Sequence, residues 1–377
     1  MTREELRDAI LGGEGPSLAF ERSFSKSLGR ELCAFANASG GSLFVGVSDD
    51  GAVVGVSHHT RLKSRIRDIA RSADPPIRVE IDAIGEVLRV DVPAQHDKPY
   101  SFGGRFFRRV GANSHRMSVT EIEEMFYEVG RLHFDSTPCP NIELEKDLND
   151  ATWDGFSRRA KIPRAMDRRA ALRNLGLVNA DQRMTHAGAW LKARDIRTVT
   201  TSAHVSCKLF LGRTKFRILE RRDFHRHMAG LVDDVTFWIL TKINVEFIIK
   251  HVRREERPEL PEDALREAVA NAVAHRDYRS PANVQVYVFK DRVEIVSPGG
   301  LPVGMTKADL GTKSVPRNPL LFDMLYRMDV VERIGSGVRR MFDLCRHHGT
   351  PLPRIDVSEH WVTVTFPRPP QVGAAHN

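Results

Sequence analysis

Apolar positions recur at two periods along the chain, and the switch between them lays out the elements. In residues 1–133 a helical period predicts a helix closing at Leu6 to Leu11, a second over Leu28 to Ala38, a third over Arg61 to Arg71 and a last over Thr120 to Arg131. Gly40 and Gly41 end the second helix, and Thr120 with Glu123 three residues on reads as a capping box for the last. Alternating stretches predict strands at Leu18 to Arg22, Ser42 to Val47, Ala52 to Val56, Ile77 to Ile84, Val87 to Val92, Pro99 to Phe102 and Arg105 to Val110. Asp49-Asp50-Gly51 and Gly103-Gly104 mark the tight turns.

Residues 134–258 read as a mixed, mainly helical connecting region. Thr137-Pro138-Cys139-Pro140-Asn141 is expected to be a linker, because successive prolines disfavour helix and paired strand. Helices are predicted over Leu148 to Lys161, Arg168 to Leu175 and Thr185 to Arg194, and a strand over Val205 to Leu211. His225 to Lys250 reads as one long amphipathic helix or a broken pair, with Phe237, Trp238, Ile239, Ile243, Phe247 and Ile248 as its stripe.

Residues 259–369 carry the sharpest pattern. From Pro261 to Tyr278 apolar residues at Ala264, Leu265, Ala268, Val269, Ala272 and Val273 predict a helix with one buried stripe, and Glu262 and Asp263 suit its positive end. Strands at Val284 to Phe289 and Val293 to Ser297 lead to Pro298-Gly299-Gly300 and an irregular stretch to Asn318. Gly335-Ser336-Gly337 opens a helix over Val338 to His347, with Ser336 as its expected N-cap, and strands at Arg354 to Val357 and Trp361 to Phe366 follow. Residues 370–377 read as a frayed tail.

A chain of 377 residues is long enough for two or three cores, and 41% hydrophobic with 28% charged residues is ordinary for a globular protein. No apolar run approaches the roughly 18 residues of a membrane span, and the polar start Met1 to Arg7 does not read as a secretory leader, so a cytoplasmic protein is expected. Cys33, Cys139, Cys207 and Cys345 stand far apart, which indicates neither a disulfide framework nor a zinc site. The paired histidines His58-His59, His225 with His227, and His347-His348 lack a third ligand at metal spacing. The net charge is +8. It concentrates in three clusters: Arg61, Lys63, Arg65, Arg67 and Arg71; Arg105, Arg108, Arg109 and Arg116; and Arg158, Arg159, Lys161, Arg164, Arg168, Arg169 and Arg173. Each reads either as a solvated face or as a surface for nucleic acid, and the third also admits a helix-turn-helix up to Gly176.

Glu267, Asn271 and His275 step four apart along the predicted helix, so a carboxylate, a carboxamide and an imidazole project from nearly one face. They are either partly buried polar groups bonded to neighbours or a ligand set. Glycines on both sides of Ser336 would let backbone amides approach an anion at the positive end of the next helix.

The order of these pieces resembles the divergent branch of the Bergerat-type (GHKL) ATPases found behind Schlafen/AlbA-like domains and labelled RecG-related. The resemblance implies an α+β chain ending in a Bergerat-type α/β sandwich, with Glu267 as general base, Asn271 holding magnesium, and ATP bound by His275, Ser297, Gly299, Gly300 and the glycine motif Gly335-Ser336-Gly337. Lys313, Arg317 and Asn318 then fall in a mobile lid. Ser297 stands where the standard family has an Asp that accepts the adenine amino group; a hydroxyl accepts that bond more weakly, so modest affinity and slow turnover are expected. No Gly-x-x-x-x-Gly-Lys motif exists in the chain, which argues against a helicase of the usual kind.

The N-terminal stretch is similar to the Schlafen/AlbA-like domain through Ala34-Phe35-Ala36-Asn37-Ala38-Ser39-Gly40-Gly41, Val45-Gly46-Val47-Ser48-Asp49-Asp50-Gly51 and Phe106-Phe107-Arg108-Arg109-Val110-Gly111. That resemblance implies nucleic-acid binding, DNA or RNA, expected at Arg61, Lys63, Arg65, Arg67, Arg105, Arg108, Arg109 and Arg116. In ribonuclease members three acids gather a metal; here Glu14 and Asp49 or Asp50 match two, Ala19 replaces the third, and Glu21 is a displaced substitute on the same strand face. Asp49 and Asp50 equally suit plain turn positions. The leading expectation is a regulatory protein, a homodimer, in which adenine nucleotide modulates nucleic-acid binding. The rivals are a metal-dependent endoribonuclease acting on tRNA or rRNA, as in phage defence, and a pseudo-ATPase scaffold.

Overall fold

The structure, a computed structural model, describes residues 1–140, 142, 150–250, 253–302, 304–332 and 336–369. The chain is α+β and divides into two compact units, Met1–Leu132 and His133–Asn377.

In the first unit, α1 (Arg3–Leu11), α2 (Leu28–Asn37) and α3 (His59–Arg71) accompany a sheet of β1 (Leu18–Glu21), β2 (Gly41–Val45), β3 (Glu80–Ile84) and β4 (Val87–Val92), in the order β1-β2-β4-β3. β1 and β2 run parallel and the other pairs antiparallel. Side-chain alternation splits the interior in two. Ala19, Leu43 and Val45 pack with Leu32, Phe35 and Ile66, while Phe20 and Phe44 pack with Leu6 and Val47.

A second, three-stranded sheet follows, of β5 (Ser101–Phe102), β6 (Arg105–Val110) and β7 (Asn113–Arg116). Asn37, at the end of α2, ties the two halves of this unit together. Its Nδ2 donates to the carbonyls of Tyr100 and Phe107, 2.8 Å each, and its Oδ1 accepts from the Tyr100 amide at 2.7 Å. A buried carboxamide so fully satisfied rigidifies its surroundings.

Two local expectations change. The last helix of the unit, α4 (Val119–Glu128), is capped by Ser118 with Glu121, not by Thr120 with Glu123. Both pairs have the right spacing; Glu121 wins because its other oxygen also meets His115 of β7 at 3.0 Å. Ala52 to Val56 forms only a single bridge, Val47 to Val53, because the Gly46 carbonyl accepts from both Val54 and Gly55 and turns the chain away.

In the second unit the helices are α5 (Asp150–Arg159), α6 (Arg168–Asn174), α7 (His186–Lys192), α8 (Met228–Leu240), α9 (Glu262–Ala274), α10 (Pro319–Arg327) and α11 (Gly337–His348). The strands are β8 (Val205–Phe210), β9 (Ile218–Phe224), β10 (Val245–Lys250), β11 (Arg253–Pro258), β12 (Val284–Val288), β13 (Arg292–Pro298), β14 (Arg354–Val357) and β15 (Trp361–Pro367). Six of them form one sheet in the order β14-β15-β13-β12-β8-β9, and β10 and β11 form a hairpin of their own.

The separate connecting region expected over 134–258 does not exist as such. β8 pairs in parallel with β12, so this stretch supplies two of the six strands, and α8 packs against α9. A single core runs through Trp190, Val205, Val235, Leu265, Val269, Val286, Leu325 and Phe366. His225 to Lys250 is neither one helix nor a helical pair but α8 followed by strand β10. Position 244 is the joint: the Glu259 amide donates to the Asn244 carbonyl, closing the β10–β11 hairpin. The expected tail lies outside the described residues. Among the described residues no helix is long and apolar enough to cross a membrane.

Candidate functional site

α9 lies between α11 and strand β13, and its polar row faces a cleft. Glu267, Asn271, His275, Ser297, Gly299, Gly300, Lys313 and Gly337 all line it, around some 1010 Å³ of empty space that is partly open to solvent. The helical register predicts this convergence for the first three; the rest arrive from elements 22 to 70 residues further on.

Glu267 is buried, and its Oε1 accepts from Asn271 Nδ2 at 2.9 Å. Burial pushes its carboxyl above the ordinary value; the Asn271 bond offsets part of that, and the nearby Glu332 carboxylate adds to it. The Asn271 amide oxygen accepts no hydrogen bond among the described residues. Gly337, first residue of α11, sits directly against this pair: a Cβ there would overlap Glu267 Oε1 and stand 3.5 Å from Asn271 Nδ2. Only glycine leaves the carboxylate its place. The negative group also lies at the positive end of α11, where the helix dipole favours it.

His275 packs at a tilt against Phe322, with centroids 5.5 Å apart, and burial with Arg317 nearby pushes its imidazole down to about 4, so it is neutral at physiological pH. Ser297 donates its hydroxyl proton to the Ala272 carbonyl at 2.9 Å. Its oxygen is thereby left as an acceptor, the role the resemblance assigns it. Gly299 takes a φ of +100°, and its amide donates to the His360 carbonyl. At Gly300 a Cβ would collide with the Glu359 carbonyl.

Three expected members do other work. Asn318 is buried and donates to the carbonyls of Ala274 and Arg276, closing the C-terminal end of α9. Arg317 bonds the Gly300 carbonyl at 2.8 Å and stands 3.8 Å from Asp277. Neither lines the cleft as a free lid group; both brace the turn beneath it. Ser336 does not cap α11: its backbone is already helical, with φ −79° and ψ −12°, and its hydroxyl donates to Glu332. Gly335 lies outside the described residues. Lys313 does line the cleft but pairs with Asp309 at 2.6 Å.

The sequence pattern missed the apolar wall formed by Met305, Leu310, Val315, Met341, Val362 and Val364. Alternation on β15 could have identified Val362 and Val364. The irregular stretch holding Leu310 and Val315 offers no period to read.

In the first unit Arg61, Arg65 and Arg67 are exposed on α3, Lys63 is half-buried, and Arg65 lies over the Phe24 ring at 4.0 Å. Arg105 and Arg116 are exposed on the second sheet and Arg108 is half-buried beside them. Arg109 departs from the expectation. It is buried, pairs with buried Glu31 at 2.9 Å and donates to the carbonyls of Gly15 and Leu18. It is a strut and offers nothing to a phosphate.

The four acids expected as an alternative nuclease site do not converge as ligands. Glu14 accepts from the Phe20 amide at 2.7 Å, and Asp50 holds its own turn through Ser48 and Ala52. Asp49 is exposed in that turn. Glu21 accepts from Ser27, and burial raises its carboxyl, with Glu31 and Asp49 adding. Among the described residues no three His, Cys, Asp or Glu side chains are grouped to hold a metal ion. Ala19 points into the core, which leaves no room for a ligand there.

Residues 15–118 match the family described as Schlafen, AlbA_2, and residues 282–366 match the family described as "Putative ATP-dependent DNA helicase recG C-terminal". The second match begins after α9, so Glu267 and Asn271 lie ahead of it. Among solved structures, the DIP2311 protein from Corynebacterium diphtheriae is similar over 97% of this chain and 81% of its own, with a TM-score of 0.52 and 21% identity. That likeness speaks for the fold. No curated protein matches the chain. The chain therefore joins a domain of the Schlafen/AlbA_2 family to a GHKL-like domain of the RecG C-terminal family.

Proposed function

We propose that the second unit binds adenine nucleotide with magnesium in the cleft between α9, β13 and α11, and that the first unit binds nucleic acid, the nucleotide modulating that binding. The observation that carries the first half is the convergence of Glu267, Asn271, Ser297, Gly299 and Gly337 on one concave surface. Its wall is apolar with few polar groups, as a base and ribose require.

The donor set fits the proposed ligand. Ser297 presents an acceptor to an exocyclic amine, the free Asn271 oxygen suits a hard cation, and glycine at 337 allows close approach to the start of α11. Magnesium, when bound, supplies charge neutralisation for the phosphates. Glu267, held by Asn271 and with its proton affinity raised by burial, is placed to take a proton from water. Its role is that of general base.

Calorimetry with ATP and magnesium on the whole chain tests this half. Wild type is expected to bind, and Asn271→Ala to weaken binding about tenfold or more. Absence of saturable binding by wild type would sink the proposal. The second half predicts retardation of DNA or RNA with affinity falling steeply as salt rises, because Arg61, Lys63, Arg67, Arg105 and Arg116 would displace counterions. Adding ATP and magnesium is expected to shift that affinity; an unchanged affinity removes the modulating role and leaves two independent binding functions.

A further inference from the structure

The third basic cluster is not absorbed by either half of that proposal, and the second unit builds a groove around part of it. The groove holds some 1210 Å³ of empty space, partly open to solvent. Arg158 and Arg159 of α5 form one wall, Lys192 and Arg194 at the end of α7 another, and Arg226 and His227 at the start of α8 a third. The carboxylates in reach do not balance these cations. Asp233 pairs with Arg159 at 2.8 Å and Asp234 with Arg226 at 2.9 Å. Arg158, Arg194 and Lys192 have no carboxylate partner among the described residues. The positive end of α8, a helix of 13 residues, adds to the same field.

Lys192 is the group that needs explaining. It is 7% exposed, and its Nζ is buried without a hydrogen-bond partner. The ammonium lies 5.1 Å from the Trp153 ring centre and 5.3 Å from that of Phe156, and Arg168 lies over Trp153 at 5.4 Å. Both side chains thus lie against the same indole. An unpaired buried ammonium is unfavourable unless a charge partner arrives. In its absence burial, with Arg168 adding, pushes the amine down to about 7.

We infer that this groove is a second anion site, taking the oxygens of an oligophosphate, with Arg158, Arg194 and Lys192 as its cationic ligands. The chemistry is shared by a free oligophosphate and by the backbone of a single-stranded nucleic acid. It is separate from the cleft beneath α9 and α11 and does not depend on what that cleft binds, since no residue lines both.

The test is calorimetric titration of the whole chain with inorganic tripolyphosphate, without magnesium. Wild type is expected to bind saturably, and an Arg158→Ala, Arg194→Ala double variant to bind about tenfold or more weakly, each lost charge-assisted bond contributing. Both arginines are exposed, so this variant folds as wild type does, and its thermal melt is the control. Lys192→Met, which keeps the contact with Trp153 and Phe156 and removes the charge, is expected to weaken binding likewise. Displacement of tripolyphosphate by a short single-stranded oligonucleotide, lost in the double variant, assigns backbone phosphate as the source. Binding that the oligonucleotide leaves untouched assigns a free oligophosphate. No saturable binding by wild type, or equal binding by the double variant, overturns the site.

Discussion

Gly337 is constrained by one neighbouring oxygen. A methyl group there would overlap Glu267 Oε1, which is the movable end of a side chain, so the chain can relieve the clash by swinging the carboxylate away. Alanine is also a better first residue for α11 than glycine by up to about 1 kcal/mol. Gly337→Ala is therefore expected to leave the melting temperature within a few degrees of wild type while nucleotide binding or turnover falls about tenfold or more. A variant that melts much lower would mean that the contact is structural. Glu267→Gln tests the same carboxylate by pH. Its folded pKa is raised, so the folded chain pays for ionisation above that pKa and not below the ordinary value of 4.5. The Gln variant is expected to be the more stable at pH 7 to 8, with the difference shrinking as pH falls towards 4.5. Equal melting at both ends of the range would show that the carboxylate is not desolvated.

At the level of elements, β6 separates two arginines that are neighbours in sequence. Arg108 is half-exposed, while Arg109, pointing the other way, pairs with Glu31 of α2 and donates to the β1 end. Removing Arg109 leaves buried Glu31 with only the half-exposed Arg30 at 3.2 Å and the Ser114 hydroxyl, so Arg109→Ala is expected to destabilise the first unit by about 3 kcal/mol. Urea denaturation of the whole chain, followed for the first transition, measures this; a loss under about 1 kcal/mol would contradict a buried pair. Arg61→Ala and Arg67→Ala on exposed α3 are expected to do the reverse. They leave stability within about 0.5 kcal/mol and reduce the slope of log affinity against log salt by about one each. An unchanged slope would take α3 out of the nucleic-acid surface.

For the molecule as a whole, the decisive feature is that β8, some 80 residues ahead in the chain, enters the sheet beside β12 and carries β9 on its other edge. A fragment beginning at residue 259 lacks both strands and α8, and exposes one edge of β12 together with the apolar face of α9. It is expected to be insoluble or to melt without cooperativity. A fragment beginning at His133 retains the whole core and is expected to melt in one transition by circular dichroism. Cooperative melting of the shorter fragment would show that the six-stranded sheet is not one folding unit.

What could be read from residues alone was whatever depends on near neighbours. The row Glu267, Asn271, His275 follows from helical spacing, the turn at Gly299 from glycine's freedom at positive φ, and the capping pattern before α4 from a four-residue motif that two overlapping pairs satisfied equally. Tertiary structure alone decided which pair won, because His115 lies on another strand, and which arginine of β6 turned inward, because Glu31 lies on another helix. It alone made β8 and β9 part of the sheet rather than of a connector, and turned Asn318 from a lid residue into the closure of α9. Apart from His115, six residues before Glu121, each partner lies tens of residues away. A periodic pattern states that a face is to be buried; it carries no record of what buries it.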